Sequence, residues 1–119
     1  MQIQERLVGS VTVLDLQPPR EGEFSRELFL PHIENILSEG SASVVINLES
    51  VRWLNSTAIG LLMSAHRRAA ETDSRLVFAG ANARITDIMK VTGMMSVWEV
   101  FEDSETAIAS FEDQANAPD

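Results

Sequence analysis

Few residues of this 119-residue chain have the type and spacing for covalent chemistry. There is no cysteine and no tyrosine, so thiolate nucleophiles, disulfides and thiolate metal sites are excluded. His32 and His66 are the only histidines. Both fall in stretches of helical spacing, and no nucleophile, base and orienting group can be assembled around either. Gly80-Ala81-Asn82-Ala83 follows an apolar run and opens a helical stretch, a place where phosphate can bind. It lacks the glycine spacing of a dinucleotide or nucleoside-triphosphate loop. Glu102, Asp103 and Glu105 have the chemistry of cation ligands, but an acidic run of this kind also reads as a solvated helix start favoured by the helix dipole. The expectation is a chain that is not an enzyme, with no catalytic residue, no cofactor and no metal.

One segment has a different kind of chemistry. Asn55, Ser56 and Thr57 are three small polar residues between an apolar stretch, Val51 to Leu54, and an amphipathic helical run. Any of them can accept a bond from the free N–H groups of the first helical turn, so capping alone accounts for their types. The helix that follows adds a second reading. Ser56, Gly60, Met63 and Arg67 lie at i, i+4, i+7 and i+11 and share one face. That face is distinct from the apolar stripe Ala58, Leu61, Leu62, Ala65 and Ala69. Gly60 costs the helix about 1 kcal/mol relative to alanine and lets another backbone come close. Met63 offers an adaptable apolar contact. A hydroxyl, a glycine and a methionine on one face make a docking strip.

These residues must be positioned by a fold, and the apolar pattern predicts one. Gln2–Leu7 and Val11–Leu16 read as an opening hairpin turned by Gly9-Ser10. Pro18, Pro19 and Gly22 form a loop. Phe29, Ile33, Ile36 and Leu37 predict a helix ending near Gly40. Its start lies either after a Ser25 cap, which puts Pro31 inside, or nearer Leu28 to Leu30, which avoids that conflict. Val44–Leu48 and Leu76–Ala79 read as strands buried on both faces. Helices are expected over Ser56–Glu71, after an Asn82 cap with Ile85, Ile88, Met89 and Thr92 on one face, and after a Ser104 cap with Ala107, Ile108 and Phe111. Val97–Phe101 is expected as the last strand. The order β-β-α-β-α-β-α-β-α implies a single α/β domain, with a mixed, mostly parallel sheet of four to five strands and about four helices. The domain is expected over residues 1–111, with a polar tail over 112–119.

Size and charge narrow the partners. A chain of this length forms one domain with a hydrophobic core of its own. The net charge of −9 argues against nucleic acid and anionic membrane, which require a basic face, and favours a partner with a basic patch. No apolar run approaches the ~20 residues of a membrane span. Met1-Gln2-Ile3-Gln4-Glu5 lacks the pattern of a secretory leader, so a cytoplasmic protein is expected.

The stretch Val45-Ile46-Asn47-Leu48-Glu49-Ser50-Val51, followed by Leu54-Asn55-Ser56-Thr57-Ala58-Ile59-Gly60, resembles the signature of the STAS domain family, the bacterial anti-sigma factor antagonists. Arg75–Gly80, Ile85–Met94 with Val91-Thr92-Gly93, and Val100–Asp103 with Glu105-Thr106-Ala107 resemble later family segments in the same order. The similarity runs from about Ile3 to Phe111. It implies a STAS-like fold and phosphorylation of Ser56, with Thr57 as second candidate. It also implies an anti-sigma factor with an ATPase-like serine-kinase fold as partner, and a serine phosphatase that reverses the mark. The unmodified form would bind and so free a sigma factor; the phosphorylated form would not. Partner contacts are expected from Asn55, Ser56, Thr57, Ile59, Gly60, Met63 and Arg67. Met94 and Met95 would extend that surface beside the Ser56 turn, and Trp98 is expected in the core. The protein is expected as a monomer or weak homodimer.

Two positions depart from the family pattern: Asn55 stands where an aspartate is usual, and Ala58 where glycine is commoner. Asparagine caps as well as aspartate does, but it removes a negative charge beside Ser56. That favours a second reading, an unswitched STAS module acting as a scaffold or as an accessory subunit of a transporter. A third reading is a small-ligand or nucleotide sensor at the Gly80 turn.

Overall fold

A computed structural model describes residues 1–18 and 23–115 of the chain. The elements follow the expected order: β1 (Gln2–Val8), β2 (Val11–Gln17), α1 (Arg26–Leu37), β3 (Ser43–Asn47), α2 (Ser56–Glu71), β4 (Arg75–Ala79), α3 (Ala83–Val91), β5 (Val100–Phe101) and α4 (Ser104–Ala115). The strands form one sheet in the order β1-β2-β3-β4-β5. β1 and β2 are an antiparallel hairpin closed at Val8↔Val11, and β2 to β5 are parallel.

Each parallel crossover steps one strand in the same direction. Right-handed connections therefore place α1, α2 and α3 on one face of the sheet, and the core divides accordingly. Leu14, Leu16, Ile46 and Phe78 pack with Phe29 and Ile33 of α1, Leu61 and Leu62 of α2, and Ile85 and Met89 of α3. Val11, Val13, Val45 and Val77 point the other way and pack with Ala107, Ile108 and Phe111 of α4. Covering both faces is why β3 and β4 read as continuous apolar runs instead of alternating ones.

One open alternative is decided and three local expectations are corrected. α1 begins at Arg26, with Ser25 as its cap: the Ser25 side chain accepts from the Leu28 N–H and Pro31 sits inside the helix. Proline removes one intrahelical bond there, and burial of Phe29, Ile33 and Leu37 against the sheet offsets the loss. The last strand is only Val100–Phe101, because Met94–Ser96 forms a 3-10 turn whose end caps at Val97. The cap of α4 is Asp103, whose Oδ1 accepts from the Thr106 N–H at 2.8 Å, and Ser104 is the first helical residue. That bond holds the Asp103 carboxyl below its ordinary pKa, so this member of the acidic run acts as a helix cap. Thr92, expected on one face with Ile85, Ile88 and Met89, is exposed at the C-terminal end of α3. The helix α4 also covers the start of the segment expected as a tail, while Pro19, Gly22 and residues 116–119 lie outside the described residues.

Candidate functional site

The connection from β3 to α2 is pinned before it reaches the helix. The Leu48 N–H donates to the Ala79 carbonyl at 2.8 Å and the Val51 N–H to the Leu48 carbonyl at 2.9 Å. Leu48, Val51 and Leu54 are buried, which draws the turn down onto the core. Asn55 then caps α2: its Oδ1 accepts from the Ala58 N–H at 2.8 Å, and its carbonyl from the Ile59 N–H at 3.0 Å. The cap expected from the sequence is thus present, and Asn55 is the residue that makes it.

Ser56 and Thr57 are the first two residues of α2, and both are exposed. Their N–H groups precede the capped pair, at the positive end of the helix dipole. Gly60 is exposed, and a Cβ there would meet nothing within 4 Å. Packing within the domain therefore does not require glycine at this position. Met63 is 44% exposed and the Arg67 side chain 75% exposed. Ile59 is half-buried and packs against the edge of the core. Ser56, Gly60, Met63 and Arg67 thus form a continuous outer face, while Ala58, Leu61, Leu62, Ala65 and Ala69 are buried as expected.

Met94 and Met95 join this face at a different place from the one expected. α3 carries the chain back toward the start of the parallel strands, so the turn at Met94 lies beside Met63 and Arg67, toward the C-terminal half of α2. It does not lie beside the Ser56 turn. Met94 is half-buried against the core and Met95 is exposed. Trp98 is buried, stacked on Phe78 with ring centroids 4.4 Å apart.

The positioning roles of three residues, Asn82, Asn47 and Gly80, were not legible in the sequence. Asn82 was read only as the cap of α3, and its Oδ1 does accept from the Ile85 N–H at 2.8 Å. Its amide also donates to the Arg52 carbonyl at 3.0 Å and, more loosely, to the Val51 carbonyl at 3.4 Å. It therefore ties the β4–α3 turn to the segment leading into Ser56. Asn47 is the buried polar side chain of β3. It donates to Asp15 Oδ1 at 2.7 Å and accepts from the Glu49 N–H at 3.2 Å. Asp15 also accepts two bonds from Arg6, at 2.6 and 3.2 Å, and the Arg6 bond is the largest cause holding its carboxyl below the ordinary value. Gly80 has φ +77°, and a Cβ there would lie 2.9 Å from Asn47 Oδ1 and 3.1 Å from the Glu49 nitrogen. A polar residue in the apolar run of β3 was the signal for Asn47. The partners of Asn82 are main-chain carbonyls thirty residues away, which no local pattern announces.

The double role of Asn82 is testable. Asparagine and aspartate are equal caps, so capping alone predicts that Asn82→Asp leaves stability unchanged. The tether instead predicts a loss of about 1–2 kcal/mol, because a carboxylate would face the Arg52 carbonyl where a donor stood. Urea denaturation of Asn82→Asp and Asn82→Ala distinguishes the two.

The other candidates hold no comparable arrangement. His32 Nε2 lies 2.8 Å from Glu5 Oε1, joining α1 to β1. A concavity of about 590 Å³ between α1 and α2 is bridged by Arg68, which pairs with Glu34 at 2.7 Å and Glu71 at 3.2 Å. The Gly80 turn is occupied by its own contacts with Asn47 and Glu49. Among the described residues no helix is long and apolar enough to cross a membrane.

Comparison with known proteins gives one consistent likeness. A family model described as "Mlab, STAS domain" matches residues 4–99. An anti-sigma-B factor antagonist of Staphylococcus aureus (strain NCTC 8325 / PS 47) is 28% identical over 80 residues, covering 64% of this chain and 74% of the relative. Among solved structures, a chain from the molecular architecture of the stressosome, a signal integration and transduction hub, superposes with a TM-score of 0.80 at 12% identity, over 96% of this chain and 100% of that one. The Bacillus cell fate determinant SpoIIAA in its phosphorylated form superposes with a TM-score of 0.69 at 19% identity, over 92% of this chain and 99% of that one. The structural likenesses establish the fold.

Proposed function

The chain belongs to the STAS domain family, and from that premise we propose that it is an anti-sigma factor antagonist whose binding is switched by phosphorylation of Ser56. The observation that carries this reading is an exposed serine hydroxyl at the first position of a capped helix, on a face the core does not use. The partner is an anti-sigma factor with an ATPase-like serine-kinase fold. A serine phosphatase restores the binding form, and the protein acts in the cytoplasm as a monomer or weak homodimer. Asn55, Thr57, Ile59, Gly60, Met63 and Arg67 supply the contacts around Ser56, with Met94 and Met95 at the far end of the strip. Thr57 is the second candidate for modification.

The likeness to a staphylococcal anti-sigma-B factor antagonist supports the class of partner. The chemistry of the helix start supports the switch. Phosphate adds about −1.5 to −2 charges and three acceptor oxygens. The helix dipole and first-turn N–H groups favour an anion there, so the fold tolerates it. The same charge brought into a protein interface must be desolvated or opposed by acidic groups, and binding is lost. Isothermal titration with the ATPase-fold serine kinases of the same cell tests the reading. Saturable one-to-one binding to one of them is expected; no binding to any would overturn it.

Gly60 gives a second test. Alanine at this position should raise helix stability by about 1 kcal/mol, or the melting temperature by roughly 3–5 °C, because no neighbour stands in the way of a Cβ. If a partner backbone approaches here, Gly60→Ala weakens the complex while stabilising the free protein. A variant that is more stable and binds normally removes Gly60 from the interface.

One observation favours the unswitched scaffold: Asn55 makes the cap without supplying a negative charge next to Ser56. That reading predicts partner binding indifferent to Ser56→Ala and Ser56→Asp alike.

A further inference from the structure

Beyond the Ser56 end of α2, the outer face of the helix runs into a groove of about 270 Å³ lined by Met63, His66, Arg67, Met94, Val97 and Trp98. We propose that this groove is a second anchor point of the partner interface, taking one apolar side chain of a protein segment together with a neighbouring carboxylate. The proposal rests on the reading of α2 as the docking face and names the chemistry of what docks there.

Several features converge on that occupant. Two of the large exposed hydrophobic side chains, Met63 and Val97 (54% exposed), line the groove, and two more, Met95 and Val91 (87% exposed), belong to the same stretch of chain as Met94, against only Leu7 and Leu28 elsewhere among the described residues. Such a cluster on the surface of a small domain marks an interaction site. The volume lies below the usual range of small-molecule pockets and suits a single inserted side chain. Methionines on two walls adapt to the shape of what enters, and the Trp98 ring, fixed on Phe78, gives a rigid floor.

The charge of the groove selects the flank. The chain carries a net charge of −9, yet among the described residues no acidic side chain lines this groove. Arg67 stands largely in solvent and approaches Glu71 only at 4.0 Å. Glu99, which shares a neighbouring hollow with His66, is held by two bonds to Arg75, at 2.7 and 3.1 Å. Lys90, exposed one turn before Met94, joins no ion pair among the described residues. Remote acids are screened beyond about 8 Å at physiological salt; of the nearer ones Glu71 is shared with Arg68 and Glu99 with Arg75, which leaves Arg67 as the cation lining the groove. A carboxylate next to the inserted side chain meets this cation, and a lysine does not.

The five methionines make the test direct. Protein labelled with 13C at its methionine methyls is titrated, in the millimolar range, with acetyl-Leu-Glu-Glu-amide and with acetyl-Leu-Lys-Lys-amide. The acidic peptide should shift the Met63 and Met94 signals and leave Met1 and Met89 unmoved. The basic peptide should bind roughly fivefold or more weakly, and Arg67→Glu should reverse the order. Equal shifts with both peptides, no shift with the acidic one, or shifts outside the groove would overturn the proposal. Ser56→Asp should leave this titration unchanged, so failure of the groove and failure of the Ser56 switch are read independently.

Discussion

Ser56→Asp should weaken binding to the kinase partner about 100-fold or more and leave the unfolding transition at or slightly above that of the parent. The two halves of this result have different causes. Within the domain, a carboxylate at the first position of α2 meets the positive end of the helix dipole, worth about 0.3–1 kcal/mol in favour of the fold. Ser56 is exposed, so the substitution displaces no core contact. In the complex, the same charge must give up water against a surface shaped for a hydroxyl. A 100-fold loss corresponds to about 2.7 kcal/mol, well within what one uncompensated charge at a buried contact costs. Ser56→Ala removes only the hydroxyl and should bind within a few-fold of the parent. Calorimetric titration of both variants, with urea denaturation alongside, checks the pair. Parent-like binding by Ser56→Asp would favour the unswitched scaffold.

Gly80→Ala should produce the largest loss of stability among surface-turn substitutions. Two costs add. Residue 80 has φ +77°, a conformation that costs a non-glycine residue about 1–2 kcal/mol. The new Cβ would also stand 2.9 Å from Asn47 Oδ1, 3.1 Å from the Glu49 nitrogen and 3.3 Å from the Glu49 Cα. The Asn47 oxygen cannot swing aside without releasing the Glu49 N–H it accepts from, and the other two atoms are backbone. Overpacking of this kind adds about 1–3 kcal/mol. The total, roughly 3 kcal/mol, corresponds to a fall in melting temperature of about 10 °C. Because Glu49 begins the connection to α2, partner binding should weaken as well. A melting temperature equal to that of the parent would show that the turn relaxes freely and does not brace the site.

The parts of this fold legible in the sequence were those set by burial. β3 and β4 are apolar on both faces because helices cover both, and α2 carries its core stripe at uninterrupted helical spacing. Its start was legible because Asn55 both ends the extended stretch and makes the cap. The misread places are those where two local rules conflict. Pro31 argues against the helix that Ser25 opens, and only the burial of Phe29 and Ile33 decides between them. Val97 and Trp98 look like strand residues, but the turn through Met94–Ser96 leaves Val97 exposed and the final strand two residues long. The docking strip was legible as a face of α2. Its continuation into Met94, the tether from Asn82 and the packing of Gly80 on Asn47 depend on segments meeting across the sheet, and adjacent residues do not encode them.

The proposed switch is tested most directly by the mass of the intact protein after incubation with ATP and the ATPase-fold serine kinases of its own cell, with Ser56→Ala treated in parallel. The account predicts a single added phosphate on the parent and none on Ser56→Ala. An unchanged mass, or a phosphate that persists in Ser56→Ala, would contradict it.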